Sequence, residues 1–279
     1  MKKLVALLLA AVMLLALTAC GETSETAAPA DTSSTSSSAS SSGAKLRFVT
    51  GGESGTYYAF GSTNNAGVNV VGLVGNGSQA NVMELQDGNA ELAFCQSDVM
   101  AYAYNGTNLF EETGKVDCFS TVAALYMEQV QIVTTDASIK TVADLAGKRV
   151  SIGSSGSGVY FNAIDVLGAY DLTEDDISPV YQNFDDSVES LQDGKIDAAF
   201  IVAGAPTTSI VQLATSNDVY LVSLDQEHID KLIEVSPYYS AYTIGADVYG
   251  TAEDCTTVAI SAVLIGRADL DPDVAYTIV

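Results

Sequence analysis

The chain contains 279 residues, of which 35 are acidic and 11 basic, and its formal net charge is −24. Nucleic acid and anionic lipid surfaces are bound through basic patches, so this charge balance makes both poor partners. Apolar residues make up 48% of the chain, which is enough to form globular cores. The length is generous for one core and fits two lobes of ordinary size.

Residues 1–20 have the pattern of a signal peptide. Two lysines precede the apolar run 4–17, and the segment ends in Leu-Thr-Ala-Cys at Cys20. The run is shorter than the roughly 20 apolar residues that a transmembrane helix needs. The ending resembles the lipobox of bacterial lipoproteins, which predicts a lipid on Cys20 and attachment to the outer face of the cell membrane. The alternative is an ordinary secretory signal in which Cys20 is incidental.

Residues 21–44 are dominated by Ser, Thr and Ala and contain no aromatic or large aliphatic residue. Such a segment cannot bury enough surface to offset its ordering entropy. We therefore predict a flexible tether, with the folded body beginning near Lys45.

The folded body uses one ten-residue phrase twice. LQDGNAELAF at 85–94 returns as LQDGKIDAAF at 191–200, 106 positions later. Two Gly/Ser loops with aromatic exits, at 53–58 and 156–161, are related by nearly the same offset. Each half contains a strand, a small-residue loop opening a helix, and a second helix ended by Asp-Gly before a strand. This repetition predicts two similar α/β lobes with a ligand cleft between them.

Five polar or glycine-rich loops follow predicted strands. In open α/β sheets the ligand binds at the carboxyl ends of the strands. Glycine permits close backbone approach, and the N–H groups of a helix start favour an anionic ligand group. Any one glycine loop could instead be a simple tight turn, but their recurrence in both halves favours a binding site. The loops are 51–57, 75–78, 96–98, 153–158 and 203–207.

No enzymatic motif is complete. The loop 153–158 has the glycine spacing of a phosphate loop, but Val159 occupies the position of the nucleotide-binding lysine. The same loop lacks the order of a nucleophile elbow, and the one histidine, His228, lies in a polar segment typical of a solvent-facing helix. We predict no catalytic residue, no cofactor and no enzymatic activity.

The acidic segments are better explained as helix starts than as metal sites. Asp269, Asp271 and Asp273 alternate as in a calcium loop, but the downstream Gly and Glu are missing. Asp271 is therefore predicted as an N-cap with Pro272 in the first helical position. The phrase TEDD at 173–176 is predicted to form a capping box.

The cysteines that follow Cys20 form no metal-like spacing. Cys95 is predicted to be a small buried filler within a strand. Cys118 and Cys255 each precede an apolar run and could form a disulfide, which the sequence alone does not decide.

None of the three arginines lies in a loop at the carboxyl end of a predicted strand. Arg47, Arg149 and Arg267 all lie elsewhere in the pattern. A ligand carboxylate would then be held without an arginine clamp, by backbone N–H groups, helix dipoles and hydroxyl groups. The hydroxyls predicted to contribute are those of Thr56, Ser154 and Ser157.

The region from about Leu46 to Tyr276 resembles the TAXI class of extracytoplasmic solute receptors, which serve TRAP-type secondary transporters. Several ordered phrases carry the resemblance, and their combination is more specific than any one of them. The phrases are GTYY at 55–58, AELAF at 90–94, QSD at 96–98, LY at 125–126, VADLAGKRV at 142–150, GSG at 156–158, FNA at 161–163, DGKIDAAF at 193–200 and ADL at 268–270.

The resemblance implies a type II periplasmic binding protein fold. Residues 45–133 would begin lobe 1, 134–240 would form lobe 2, and 241–279 would return to lobe 1. The crossovers would fall near 131–136 and 239–244. Such receptors close about a hinge around their ligand, and a membrane permease recognises the closed state.

The resemblance also implies a glutamate-like ligand and a set of ligand-binding residues on both lobes. Tyr57 and Tyr126 could equally be core aromatic residues. From lobe 1 and the hinge the predicted residues are Gly55, Thr56, Tyr57, Ser78, Asn81, Gln96, Ser97 and Tyr126. From lobe 2 they are Ser154, Ser157, Gly158, Asn162 and Thr207.

Other functions stay open at this point. The protein could serve a sensor or an ABC-type importer, or it could be a surface lipoprotein hydrolase. The final segment, 271–279, reads as a helix that stops after about two turns, and we expect the chain to be a fragment of a longer protein.

Overall fold

The computed structural model describes residues 45–62 and 69–278. The predicted signal peptide, the tether and the lipidation site Cys20 lie outside these residues. No helix in the described part of the chain is both long and apolar enough to cross a membrane.

The first half begins with a three-stranded parallel sheet. β1 is the central strand, flanked by β2 and β3. Helices follow each strand, which is the arrangement that parallel strands require. The elements are β1 Leu46–Val49, α1 Thr56–Ser62, β2 Val70–Leu73, α2 Ser78–Gln86, β3 Leu92–Gln96 and α3 Ser97–Asn105.

The long strand β4, Phe119–Thr134, leads into a second half built on the same plan. Its central strand is β5, which pairs in parallel with β6 and β7. The elements are β5 Arg149–Ser151, α4 Gly158–Ala169, β6 Ser178–Val180, α5 Phe184–Gln192, β7 Ala198–Ala203 and α6 Thr208–Ala214. The chain ends with β8 Tyr220–Leu221, α7 Gln226–Val235, β9 Ser240–Ile244, β10 Cys255–Arg267 and α8 Pro272–Ile278.

The repeated sequence phrase produces repeated structure. Helices α2 and α5 have the same length and begin 106 positions apart. Each ends at an Asp-Gly pair whose glycine has positive φ, 71° at Gly88 and 65° at Gly194. Glycine adopts this left-handed conformation without a steric penalty, so it ends the helix and turns the chain into the next strand.

Strands β4 and β10 join the two halves into one sheet of order β2-β1-β3-β10-β4-β7-β5-β6. β10 pairs with β3 over 262–266 and with β9 over 255–259. β4 pairs with β7 over 129–133. Both long strands therefore run from one half into the other.

The predicted crossovers near 131–136 and 239–244 lie at or beside the two long strands. Residues 131–136 already include the second-half end of β4, and residues 239–244 form β9 at the edge of β10. We place the passages in β4 before Gln129 and in β10 between Ala259 and Ala262. These passages leave no signal in the sequence, because each strand is continuous between the two halves and no turn residue interrupts it.

Each half encloses its own hydrophobic core. In the first half, Val82 and Leu85 of α2 pack with Val99 and Cys95, as predicted for Cys95. The second half has a separate core over 130–260, which includes Leu167 of α4.

A second cluster in each half also packs on the shared sheet, with Phe94 in the first half and Ile201 in the second. Phe161 of α4 joins the first-half cluster that contains Val82. The result is a two-lobe α/β fold, as the duplication predicted.

The predicted helix starts are confirmed. α8 begins at Pro272, and the backbone N–H of Asp273 donates to the carboxylate of Asp271 at 2.9 Å. Thr173 and Asp176 form a reciprocal capping box at the start of a short 3₁₀ helix. Both segments are ordinary helix ends, because side-chain oxygens satisfy backbone donors that have no partner within the helix.

The possible disulfide between Cys118 and Cys255 does not form. Cys118 precedes Phe119, which pairs with Arg267 at the end of β10, whereas Cys255 begins the same strand. A strand of that length separates the two residues by about 40 Å, and a disulfide needs Cα atoms within about 7 Å. All three described cysteines are free.

Candidate functional site

A cavity of about 140 Å³ lies where the carboxyl ends of the strands of both lobes meet. One water molecule needs about 10–15 Å³ on the same measure, so the cavity has room for a small organic molecule. The wall consists of residues 51, 52, 55–57, 74–78, 96, 128, 154, 157–159, 182–184, 202 and 203.

Glu128 supplies the one carboxylate among the wall residues. It lies in the middle of β4, paired with Ile260, and is only 2% exposed. The hydroxyl of Tyr57 donates to its Oε2 at 2.9 Å, and the Tyr57 ring stacks on Phe94. Burial raises the pKa of Glu128 to about 8, against the opposing effect of the Tyr57 hydrogen bond. Glu128 is therefore largely protonated at neutral pH.

Gln96 presents an unpaired carbonyl oxygen beside the cavity. Its Nε2 donates to Oδ1 of Asn162 at 3.0 Å, and Asn162 Nδ2 donates to the Tyr239 hydroxyl at 2.8 Å. Tyr239 in turn donates to Asp165 at 2.8 Å. This chain of hydrogen bonds fixes the direction of the Gln96 amide and leaves its buried Oε1 without a partner. That oxygen lies against Gly158 at the start of α4, where an added Cβ would overlap it.

Two helix N-termini also contribute to the wall, next to Gln96. α2 begins at Ser78 after Gly77, and α4 begins at Gly158 after Ser157. Neither start has a side-chain cap, and the buried hydroxyl of Ser157 has no partner. In contrast, Asn183 caps α5 by accepting from the N–H of Asp186. The uncapped starts of α2 and α4 favour a negative ligand group.

Hydrogen bonds cross the cleft and hold the lobes together. The Thr56 hydroxyl donates to the carbonyl of Gly204 at 3.0 Å, and the N–H of Ala80 donates to the carbonyl of Gly156 at 3.0 Å. The bond between Gln96 and Asn162 also joins the lobes. The two lobes therefore contact each other across the cleft, and the cavity lies between them.

Most of the predicted ligand-binding residues lie on the cavity wall, where they could contact a ligand. Their role in binding stays a prediction. The residues on the wall are Gly55, Thr56, Tyr57, Ser78, Gln96, Ser154, Ser157 and Gly158.

Two predicted residues lie behind the wall and support it. Asn81 donates through Nδ2 to the carbonyls of Thr50 and Phe94, so it ties α2 to the ends of β1 and β3. Asn162 orients Gln96 as described above. The amide nitrogens of both residues donate to protein partners, and their contact with a ligand stays a prediction.

Three more predicted residues lie outside the wall. Thr207 accepts from Gln131 at 3.0 Å, and its N–H donates to the Tyr249 hydroxyl. Ser97 begins α3. Tyr126 packs against Gly204 with its hydroxyl buried, which fits the alternative prediction of a packing aromatic residue.

Sequence reasoning missed several wall residues, above all Glu128. A lone acid inside the long apolar strand β4 was the signal that could have found it, since a buried carboxylate is costly without a purpose. Phe184 and Val202 were also missed. They occupy the positions that correspond, 106 residues later, to Ser78 and Gln96, so extending the duplication would have found both.

The three described arginines are engaged with carboxylates away from the cavity. Arg47 forms an ion pair with Glu91, and Arg149 forms the corresponding pair with Asp197 in the second lobe. Arg267 pairs with Asp269. No wall residue is a Lys or an Arg, and the lack of an arginine clamp on the ligand stays a prediction.

Comparison with known proteins places the chain in a family and in a fold. The model of the NMT1-like family matches residues 48–279. Among solved structures, the P235GK mutant of ArgBP from T. maritima aligns with a TM-score of 0.51 and 13% identity, over 84% of this chain and 86% of that chain. A protein from Bordetella bronchiseptica RB50 aligns with a TM-score of 0.50 and 17% identity, over 84% and 68%.

A third similar structure is the alkanesulfonate-binding protein SsuA from Xanthomonas axonopodis pv. citri bound to MOPS. Its TM-score is 0.49 at 15% identity, over 81% of this chain and 66% of that chain. This chain thus spans just under two thirds of the length of that relative. At these identities the structural matches establish the fold alone. The chain belongs to the NMT1-like family and has the two-lobe fold of the periplasmic binding proteins.

Proposed function

We propose that the protein is an extracytoplasmic solute-binding lipoprotein of a TAXI-type TRAP transporter. It captures a small carboxylate such as glutamate by closure of its two lobes and delivers it to a membrane permease. The observation that carries the proposal is the cavity between two lobes that the chain connects through the continuous strands β4 and β10. Such a connection allows rigid-body closure around a ligand.

The wall supports binding of a carboxylate. The N-termini of α2 and α4 carry partial positive charge toward the cavity, and the Ser157 hydroxyl there has no protein partner. Hydroxyl groups of Ser78 and Ser154 lie on the same wall. A carboxylate held by backbone N–H groups and hydroxyls needs no arginine.

A hydrolytic function has less support. The one histidine of the chain, His228, is not a wall residue: it stacks on Tyr170 at 3.6 Å between ring centroids and contacts Asp225 at the start of α7. Nucleophilic catalysis by serine needs a base within hydrogen-bond reach. The cavity therefore fits binding better than catalysis.

The permease partner is part of the proposal and rests on the resemblance of the ordered sequence phrases to TAXI receptors. Delivery to an ABC-type importer or to a sensor is the alternative. Pull-down of the ligand-loaded protein with each candidate permease from the same genome would separate these partners. Retention by the TRAP-type permease alone supports the proposal.

Lipid attachment at Cys20 is also part of the proposal. Mass spectrometry of the mature protein would detect a diacylglyceryl group on Cys20. Cys20→Ala should release the protein from the membrane fraction. Membrane retention of this variant at the wild-type level would contradict the lipid anchor.

The function itself is tested by calorimetric titration of the purified protein. The ligands would be L-glutamate, L-glutamine, 2-oxoglutarate and C4 dicarboxylates. We expect a single site with one member of this panel and a rise in thermal stability upon binding. A folded protein that binds none of them would overturn the glutamate-like assignment.

A further inference from the structure

A cluster of polar side chains lies in the contact between the two lobes, behind the cavity wall. At its centre is Asn162 of α4, which is completely buried. Its Oδ1 accepts from Nε2 of Gln96 at 3.0 Å. Its Nδ2 donates to Oδ2 of Asp98 at 3.3 Å and to the Tyr239 hydroxyl at 2.8 Å. Gln96 and Asp98 belong to lobe 1, so both polar atoms of the Asn162 amide connect lobe 2 to lobe 1.

Asp98 is the acid of lobe 1 in this cluster. It lies in the first turn of α3 and is 1% exposed. Its Oδ1 accepts from the N–H of Val99 at 2.6 Å, and its Oδ2 meets Asn162 from the other lobe. Phe161 of α4 packs in the same apolar cluster as Val99. Separation of the lobes would therefore take away a hydrogen-bond partner of Asp98 and part of its cover.

The titratable groups around Asp98 include no cation. They come from every element of the cluster, and none of them is a Lys, an Arg or a His. The groups are Cys95 of β3, Tyr102 of α3, Glu128 of β4, Asp165 of α4 and Tyr239 before β9. Asp165 accepts from the Tyr239 hydroxyl at 2.8 Å, so a second carboxyl group lies on the lobe 2 side. A buried carboxylate without a positive partner is costly.

The balance of forces favours the neutral acid at Asp98. Burial raises the pKa of Asp98 from an ordinary 3.8 to about 7, and repulsion from Asp165 acts in the same direction. The N–H of Val99 and the Asn162 amide favour the carboxylate but do not offset the burial. In water the same group would be ionised at neutral pH. The contact between the lobes thus holds a proton that a solvated Asp98 would release.

We propose that Asp98 is a positioning residue that makes closure of the lobes depend on a proton. On closure, Asp98 takes one proton from solvent as α4 covers it, and no other bond is made or broken covalently. Ionisation of Asp98 favours separation of the lobes. This inference rests on the lobe closure of the proposed function and adds a form of regulation to it, whatever the ligand is.

The sign of the effect follows from linkage. A carboxyl group with a higher pKa in the closed form stabilises that form fully at low pH. This contribution is lost as the pH rises from the ordinary value of Asp98 to about 7. Acid therefore favours closure, and the ratio of closed to open molecules should fall about tenfold for each pH unit in this range.

The first test measures the separation of the lobes without ligand. Small-angle X-ray scattering of the purified wild-type protein, from about pH 5 to about pH 8, reports the radius of gyration and hence the ratio of closed to open molecules. We expect a compact protein at the acid end and a larger radius of gyration at the alkaline end. An equal radius at both ends, with native circular dichroism throughout, overturns the inference.

The calorimetric panel described above tests solute binding separately. A ligand that binds, together with a constant radius of gyration, removes the proton dependence and leaves the proposed function standing. A radius that depends on pH, together with a failure of every ligand of the panel, supports the role of Asp98 and overturns the glutamate-like assignment.

Asp98→Asn assigns the proton to its residue. The amide has the shape of the carboxyl group but does not titrate, so the pH dependence of closure should become flatter by about one proton. Asp87→Asn, an exposed change of the same type at the end of α2, is the matched control and should follow wild type. Loss of one hydrogen bond alone would shift the ratio equally at every pH. Equal slopes for Asp98→Asn and wild type would refute the role of Asp98.

Asn162→Ala tests the connection between the lobes apart from the proton. It removes the donor to Asp98 and the acceptor for Gln96, and it should lower the ratio of closed to open molecules about 10- to 100-fold at every pH. The same scattering measurement reports this ratio. A variant with native circular dichroism and the wild-type ratio would show that the cluster does not hold the lobes together.

Discussion

The two lobes present different chemistry at equivalent positions of the cavity wall. The repeat relates three wall residues of lobe 1 to three of lobe 2. In each pair the lobe 1 residue is polar and the lobe 2 residue at the corresponding sequence position is apolar. The pairs are Thr56 with Val159, Ser78 with Phe184, and Gln96 with Val202. The helix starts differ as well, since Asn183 caps α5 whereas Gly77 leaves α2 without a side-chain cap.

This difference separates what the duplicated fold provides from what recognition requires. The fold brings the strand ends and helix starts of both halves to one cleft. In the proposed function, recognition needs directional partners, and most of the polar wall residues lie in lobe 1, among them Glu128, Tyr57 and Gln96. Lobe 2 supplies apolar surface, the Ser157 hydroxyl and the start of α4. We expect ligand to bind lobe 1 first and to be covered by lobe 2 on closure.

The largest expected effect comes from filling the narrow gap between Gly158 of α4 and Gln96 of β3. A Cβ on Gly158 would overlap Oε1 of Gln96 across the cleft. Gly158→Ala should therefore displace Gln96, hold the lobes apart and lower ligand affinity at least 1000-fold, as isothermal titration would measure. Overpacking of this kind typically costs about 1–3 kcal/mol of stability as well.

The matched control is Gly168→Ala near the other end of α4. A Cβ there meets no atom within 4 Å. This change should leave affinity unaltered and stabilise the helix by about 0.5–1 kcal/mol. Equal affinities for the two variants would mean that the cleft does not close as the structure describes.

Gln96→Val tests the comparison of the two lobes directly, because it places in lobe 1 the residue type that lobe 2 has at the equivalent position, Val202. Loss of the Oε1 acceptor should lower affinity by about 10- to 100-fold, and Asn162 would lose a partner at a cost of about 1–3 kcal/mol. Val202→Ala removes apolar surface from the equivalent position and should lower affinity only a few-fold. Similar losses for both variants would contradict the polar role assigned to lobe 1.

The pH dependence of folding stability tests whether Glu128 of the cavity wall binds a proton in the folded protein. Its pKa is raised from an ordinary value of 4.5 to about 8, so the folded state binds a proton that the unfolded state has released. Folding stability without ligand should therefore fall as the pH rises from about 4.5 to 8. Glu128→Gln should remove the part of this loss that Glu128 causes, and the part caused by Asp98, whose pKa burial raises to about 7, should remain. Urea unfolding of both proteins at several pH values would measure this change in the free energy of unfolding. An unchanged profile in the variant would mean that Glu128 is not the titrating group.

The smallest effect concerns the capped helix of lobe 2. Asn183→Ala removes the side-chain bond to the N–H of Asp186 at 2.9 Å and should cost about 1 kcal/mol of unfolding free energy. Asn89→Ala, an exposed change after α2, should stay within about 0.5 kcal/mol. A loss in ligand affinity well beyond tenfold for Asn183→Ala would show that lobe 2 contributes more to recognition than we infer.

The sequence by itself determined the repeated plan of the molecule. Gly88 and Gly194 end equivalent helices because glycine alone enters the left-handed conformation freely, and this requirement is local. The caps at Thr173 and Asp271 are local in the same way. Loops at strand ends could likewise be placed near the ligand, because parallel strands put their carboxyl ends at one edge.

Only the tertiary structure decided which side chains reach the cavity. Asn81 and Ser78 lie on the same helix, but packing directs Asn81 to the backbone of β1 and β3 and leaves Ser78 on the wall. Glu128 reaches the cavity because β4 continues from one lobe into the other beneath it. Such outcomes depend on contacts between residues far apart in sequence, whereas helix ends and turns depend on neighbours within a few positions.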